Sequence, residues 1–138
     1  MTDRATQTLE FDRLPPRRAR RFVRTTLLRW GRPELVRDAE LLVDELVSNA
    51  MLHAHGTGVD VTLRADDDVV RVEVADPDPD FTIDFRRPSA SAPRLGLRIV
   101  DSVADRWGVE PTDLGKVVWF ELDGRTRDST LLEVQLAN

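Results

Sequence analysis

Glu40-Leu41-Leu42-Val43-Asp44-Glu45-Leu46-Val47-Ser48-Asn49-Ala50 is the stretch on which the reading of this chain turns. Its apolar residues, extended by Leu35, Ala39 and Met51, recur at three- and four-residue spacing and cover much of the girth of a helix. A helix apolar around so much of its surface is central and lies on a sheet. Pro33 opens it, and Glu34 falls in the first turn, where the helix dipole favours an acid. It runs to about His53, before His55-Gly56-Thr57-Gly58 breaks it. Glu45 and Asn49, four residues apart, share one face at one turn's separation. A carboxylate and an amide in apolar surroundings call for a ligand, a metal or a hydrogen-bond network, unless they sit at a wet rim; spacing alone leaves both open.

Toward the N-terminus, Thr6 to Asp12 reads as a strand ended by Pro15-Pro16, which suits the first turn of a helix. In that helix Ala19, Phe22, Val23, Thr26, Leu27 and Trp30 form one apolar face, Arg17, Arg20, Arg21 and Arg24 the other, and Gly31 ends it. Toward the C-terminus, Val59-Val61-Leu63 and Val70-Val72-Val74 alternate as a hairpin around Asp66-Asp67-Asp68. Asp76 to Pro93 holds little periodicity beyond a short strand at Phe81 to Phe85 and reads as a long functional loop. Helical spacing returns at Leu97, Val100, Val103, Ala104 and Trp107. A last strand, Lys116 to Leu122, pairs with one around Val109. The order β-α-α-β-β-α-β-β predicts an α+β fold of two layers, a mixed sheet covered on one face by about three helices.

The chain has 138 residues, about the size of one ordinary domain, so residues 1–138 are expected to form one unit, with a core of about 6–122 and a tail at 123–138. With no cysteine and two histidines, disulfides, thiolate metal sites and a convincing Ser-His-Asp arrangement are excluded. No apolar run approaches the ~18 residues of a membrane span, and Met1 to Glu10 lacks a signal-peptide stretch; a cytoplasmic protein is expected. The net charge of −5 (20 basic against 25 acidic side chains) argues against nucleic acid as a direct partner. Arg13 to Arg32 nevertheless carries eight arginines and no acid. That strip suits an acidic protein partner, or is a solvated helix face.

Two further features bear on chemistry. Asp76 follows the apolar Val74-Ala75, and a carboxylate there can accept from an exocyclic amine such as adenine's. In Arg94-Leu95-Gly96-Leu97-Arg98 a loop becomes a helix at a glycine, where free backbone N–H groups can meet an anion. Asp76, Asp78 and Asp80 alternate like a calcium loop, but its sixth and twelfth positions hold Phe81 and Arg87 instead of Gly and Glu.

Taken in this order, the Glu45/Asn49 pair, Asp76 and Gly96-Leu97 resemble the boxes of the GHKL (Bergerat) ATPase family. That family is shared by gyrase, the heat-shock chaperone of ninety kilodaltons, sensor histidine kinases and MutL. Glu40 to Ala50, Asp105-Arg106-Trp107-Gly108 and Gly115-Lys116-Val117-Val118-Trp119-Phe120-Glu121-Leu122 are most similar to its RsbW-like anti-sigma factor serine kinases. The resemblance implies ATP and Mg²⁺ as cofactors. Glu45 would be the catalytic base, Asn49 the Mg²⁺ ligand, Asp76 the adenine reader, and Arg94, Leu95, Gly96 and Leu97 the phosphate contacts. It implies an anti-sigma factor that phosphorylates a serine of an anti-anti-sigma (STAS-type) partner and holds a sigma factor, as a homodimer. The chain departs from the family at Asp76-Pro77-Asp78-Pro79-Asp80, where the pattern is Asp-x-Gly-x-Gly, at Arg94 in place of a glycine, and at Val117, where related chains often have threonine. These departures motivate an alternative, a degenerate ATPase-fold module that sequesters a regulatory partner with weak or no nucleotide binding.

Overall fold

The computed structural model describes residues 2–52, 56–77 and 95–127. Strand β1 (Thr2–Glu10) leads into α1 (Pro15–Arg29), and a 3₁₀ turn (Pro33–Leu35) opens α2 (Val36–Leu52). A hairpin of β2 (Gly58–Asp66) and β3 (Val69–Asp76) follows. After α3 (Leu95–Val103) come β4 (Arg106–Thr112), β5 (Gly115–Asp123) and a closing 3₁₀ turn (Gly124–Thr126).

The strands lie in the order β1-β2-β3-β5-β4, and every pairing is antiparallel. The expected mixed sheet is therefore corrected to an antiparallel one among the described residues. The reason is topological: β4, reached from β3 by way of a helix, runs parallel to β3, but β5 inserts between them and pairs antiparallel with both. Phe81 to Phe85, read as a short strand, lies outside the described residues.

Alternation along the strands divides the sheet into two faces. Leu9, Val59, Val61, Leu63, Val70, Val72, Val74, Val118, Phe120 and Leu122 are buried on the face that meets the helices. The other face carries charge: Arg71 pairs with Glu73 at 3.1 Å and Glu110 at 3.4 Å and lies 4.0 Å above the Trp119 ring. On the helical layer, α2 buries Val36, Ala39, Leu42, Val43, Leu46, Val47 and Ala50, and packs on β2, β3 and β5 as well as α1 and α3. Each such Leu or Val contributes about 1.5–3 kcal/mol when fully buried, which makes α2 the spine of the core. Residues of its remaining face are free to serve a site.

Gly31, at φ 70°, terminates α1 in the left-handed region, with Arg32 N–H donating to the Leu27 carbonyl at 2.8 Å and Gly31 N–H to Leu28 at 3.1 Å. Trp107, read from its spacing as helical, belongs to β4: α3 has ended at Val103, and Asp105 N–H already donates to the Glu121 carbonyl in the sheet at 3.0 Å. Its indole N–H reaches back to Asp101 at 2.9 Å, so the ring meets α3 from the strand. No helix among the described residues is long and apolar enough to cross a membrane.

Candidate functional site

Glu45 and Asn49 stand on α2 between its buried positions, both half-buried. Burial pushes the Glu45 carboxyl above its ordinary value, and the neighbouring Asp44 pushes it further the same way. The Asp44 carboxylate is held by Arg20 of α1, so a cation on the adjacent helix anchors the acid next to Glu45. The side-chain amide nitrogen of Asn49 is buried without a hydrogen-bond partner among the described residues. A buried amide without a partner costs about 1–3 kcal/mol, and the sequence spends that cost one turn from a carboxylate of raised pKa. The orphaned atom is an N–H donor, so it suits a ligand that brings an acceptor oxygen, while the oxygen of the same amide is the atom a cation would use.

Asp76 ends β3 with its side chain on the helix-facing side, where it is about 2% exposed. The residue directly opposite it across the sheet is Lys116 of β5, equally buried, with its ammonium 3.5 Å from the Asp76 carboxylate. Gly115 allows this approach, since a Cβ there would lie 2.1 Å from the Asp76 carbonyl oxygen. Beside this strand end, on the outer side of the sheet, is an open pocket of about 980 Å³. Thr8, Gly56, Asp60, Ala75, Asp76 and Pro77 are among its lining residues, while Glu45 and Asn49 are not. Asp76 thus sits on the border between that pocket and the helical layer.

Leu95, Gly96 and Leu97 form the first turn of α3, which packs on α2; Arg94 and the acidic positions Asp78 and Asp80 lie outside the described residues. The far end of α3 is tied down by Arg127. Its guanidinium donates to the Val103 carbonyl at 2.7 Å, to Asp38 of α2 at 2.7 Å and to Asp105 at 2.5 Å. It also reaches the Asp123 carbonyl at 3.1 Å, joining α2, α3 and the end of β5 at one side chain.

The arginine strip divides in two. Arg20 and Arg24 are paired with Asp44 and Glu40 of α2, Arg24 at 3.2 Å, and so are engaged within the fold. Arg17 and Arg21 are exposed, and Arg18, Arg21 and Arg29 line a groove of about 410 Å³ with Gln7 and Phe22.

The structure therefore brings Glu45 and Asn49 together on one helix and sets Asp76 on the strand against which that helix packs. Two residues that the sequence reading left without a role belong to this arrangement. Lys116 had a visible signal, a lysine in the inward-facing series with Val118, Phe120 and Leu122. Arg127 had none, because its partners Asp38, Val103 and Asp105 come from two distant segments.

Among curated proteins none matches the chain as a relative. The sequence profile of the histidine kinase-like ATPase domain matches residues 12–122, which include Glu45, Asn49, Asp76, Lys116 and the start of α3. That span is well over half of the molecule, and the chain belongs to the histidine kinase-like ATPase domain family.

Proposed function

We propose that the protein is an ATP-binding anti-sigma factor with serine kinase activity toward an anti-anti-sigma partner of the STAS type. The observation that carries the reading is the pairing, on one largely buried helix, of a carboxylate of raised pKa with an amide nitrogen that has no partner among the described residues. Membership of the ATPase family supports nucleotide as the ligand. Asn49 would hold Mg²⁺ through its amide oxygen, leaving the N–H donor for a phosphate oxygen; the ion needs few protein groups when waters and phosphate oxygens complete its shell. Asp76 would accept from the base. Bound ATP–Mg²⁺ supplies the transferable phosphoryl group and the neutralisation of its charge.

What this chain adds is positioning and proton transfer. Glu45 takes the proton from the attacking serine hydroxyl, and its raised pKa makes it a stronger base than an ordinary surface carboxylate. Amides of the first turn of α3 (Leu95–Val103) would be available to phosphate, as helix starts are. The exposed Arg17 and Arg21 offer an acidic regulatory partner a basic contact away from the nucleotide.

A second reading, a partner-sequestering module with weakened nucleotide binding, is favoured by the buried Lys116 against Asp76. Transfer of labelled γ-phosphate from ATP to a serine of a STAS-type protein separates the two. The kinase reading expects transfer by the natural chain and a loss of about 10²–10⁴-fold in Glu45→Gln, the span of general-base contributions. Partner capture without any transfer selects the module.

A further inference from the structure

We propose that, given nucleotide binding at the site read above, Lys116 is a built-in competitor for the base-reading carboxylate: its ammonium holds Asp76 in the resting protein, and the base binds at full strength only when that pair opens. Three observations carry this. Asp76 and Lys116 are register partners on the helix-facing side of the sheet. Both side chains are about 2% exposed, with 3.5 Å between ammonium and carboxylate. Lys116 is also among the largest fully buried side chains of the described residues, so its four-carbon stem is held inside the protein along with its charge.

The chemistry follows from charge. Inside a protein an ammonium and a carboxylate attract far more strongly than in water, and a neutral exocyclic amine cannot match a full cation as a partner for the same oxygens. A base that approaches Asp76 from the helical side must displace the ammonium or accept a carboxylate already neutralised. Lysine suits such a device, because its compact charge rides on a flexible stem and can swing toward water once something else satisfies the carboxylate.

Calorimetric titration with ATP and Mg²⁺ of the natural chain and of Lys116→Met tests this. Methionine keeps the length and apolar bulk of the stem and removes the ammonium. ATP should bind Lys116→Met at least tenfold more tightly. Without nucleotide the variant should melt at a lower temperature than the natural chain, because its carboxylate is buried without that cation, and ATP should raise its melting temperature by more. The gain should vanish in Asp76→Asn/Lys116→Met, because it acts through the carboxylate. Should Lys116→Met not fold, Lys116→Gln, which keeps a neutral donor toward Asp76, carries the same comparison with a smaller gain. If the natural chain binds ATP and the variant binds it equally or more weakly, Lys116 is a base-reading donor or a structural residue, and the competitor is overturned while ATP binding stands. If the folded natural chain and both folded variants bind none, both readings fall.

Discussion

Replacing Asn49 by alanine removes a proposed ligand-binding group and also a liability of the fold. The buried amide nitrogen makes no hydrogen bond among the described residues, a condition worth about 1–3 kcal/mol against the folded state. Alanine is also the better helix former in the interior of α2, by about 0.5 kcal/mol. Against these gains stands the loss of packing from a half-buried side chain, roughly 1 kcal/mol at the usual value per area. The balance is a stabilisation of about 1 kcal/mol, which for a domain of this size raises the melting temperature by about 3–5 °C. Urea unfolding of the nucleotide-free protein measures it, and titration with ATP with and without Mg²⁺ supplies the second half. Asn49→Ala should lose the Mg²⁺-dependent part of ATP affinity, tenfold or more, while the fold becomes firmer. A destabilisation above about 1 kcal/mol with ATP affinity intact would make Asn49 a structural residue and refute the assignment.

Glu45→Gln should be more stable than the natural chain at neutral pH and equal to it below about pH 4. The sign follows from burial: the folded carboxyl titrates above its ordinary 4.5, so the folded state holds the extra proton, and stability falls as pH rises through that window. A pH series of urea midpoints checks this. Arg127→Ala should destabilise by about 2–4 kcal/mol, since it strips charge-assisted bonds from Asp38 and Asp105 and uncaps the Val103 carbonyl. Arg127→Lys should recover less than half, because an ammonium cannot fork toward four acceptors, and denaturant midpoints decide it. Reversing Arg17 and Arg21 to Glu should weaken capture of an acidic partner tenfold or more with ATP affinity unchanged, as read by surface-immobilised binding.

The element order was legible because each segment carries a clean period. The apolar faces of α1 and α2 and the alternation in β2, β3 and β5 state their own partners in the local sequence. Whether the sheet is mixed or antiparallel depends on where β5 inserts, a long-range choice that no local period encodes. The spacing of Trp107 from Val103 fits a helical turn, but the sheet bond from Asp105 overrides that spacing. For the site, the Glu45/Asn49 spacing and the strand-end position of Asp76 could be read directly. The Asp44–Arg20 and Asp76–Lys116 pairs could not, because each joins residues brought together only by packing. Arg20 belongs to the arginine strip that suits an acidic partner, yet the fold already uses it to hold Asp44.

The central claim is that this site binds ATP through Asn49 and Asp76, and a calorimetric titration of the natural chain with ATP tests it most directly. One saturable site per chain is predicted, weaker without Mg²⁺, and weakened more for ATP than for GTP by Asp76→Asn because adenine's amine loses its acceptor. No saturable heat at millimolar ATP, in the natural chain and in Lys116→Met alike, would contradict the account.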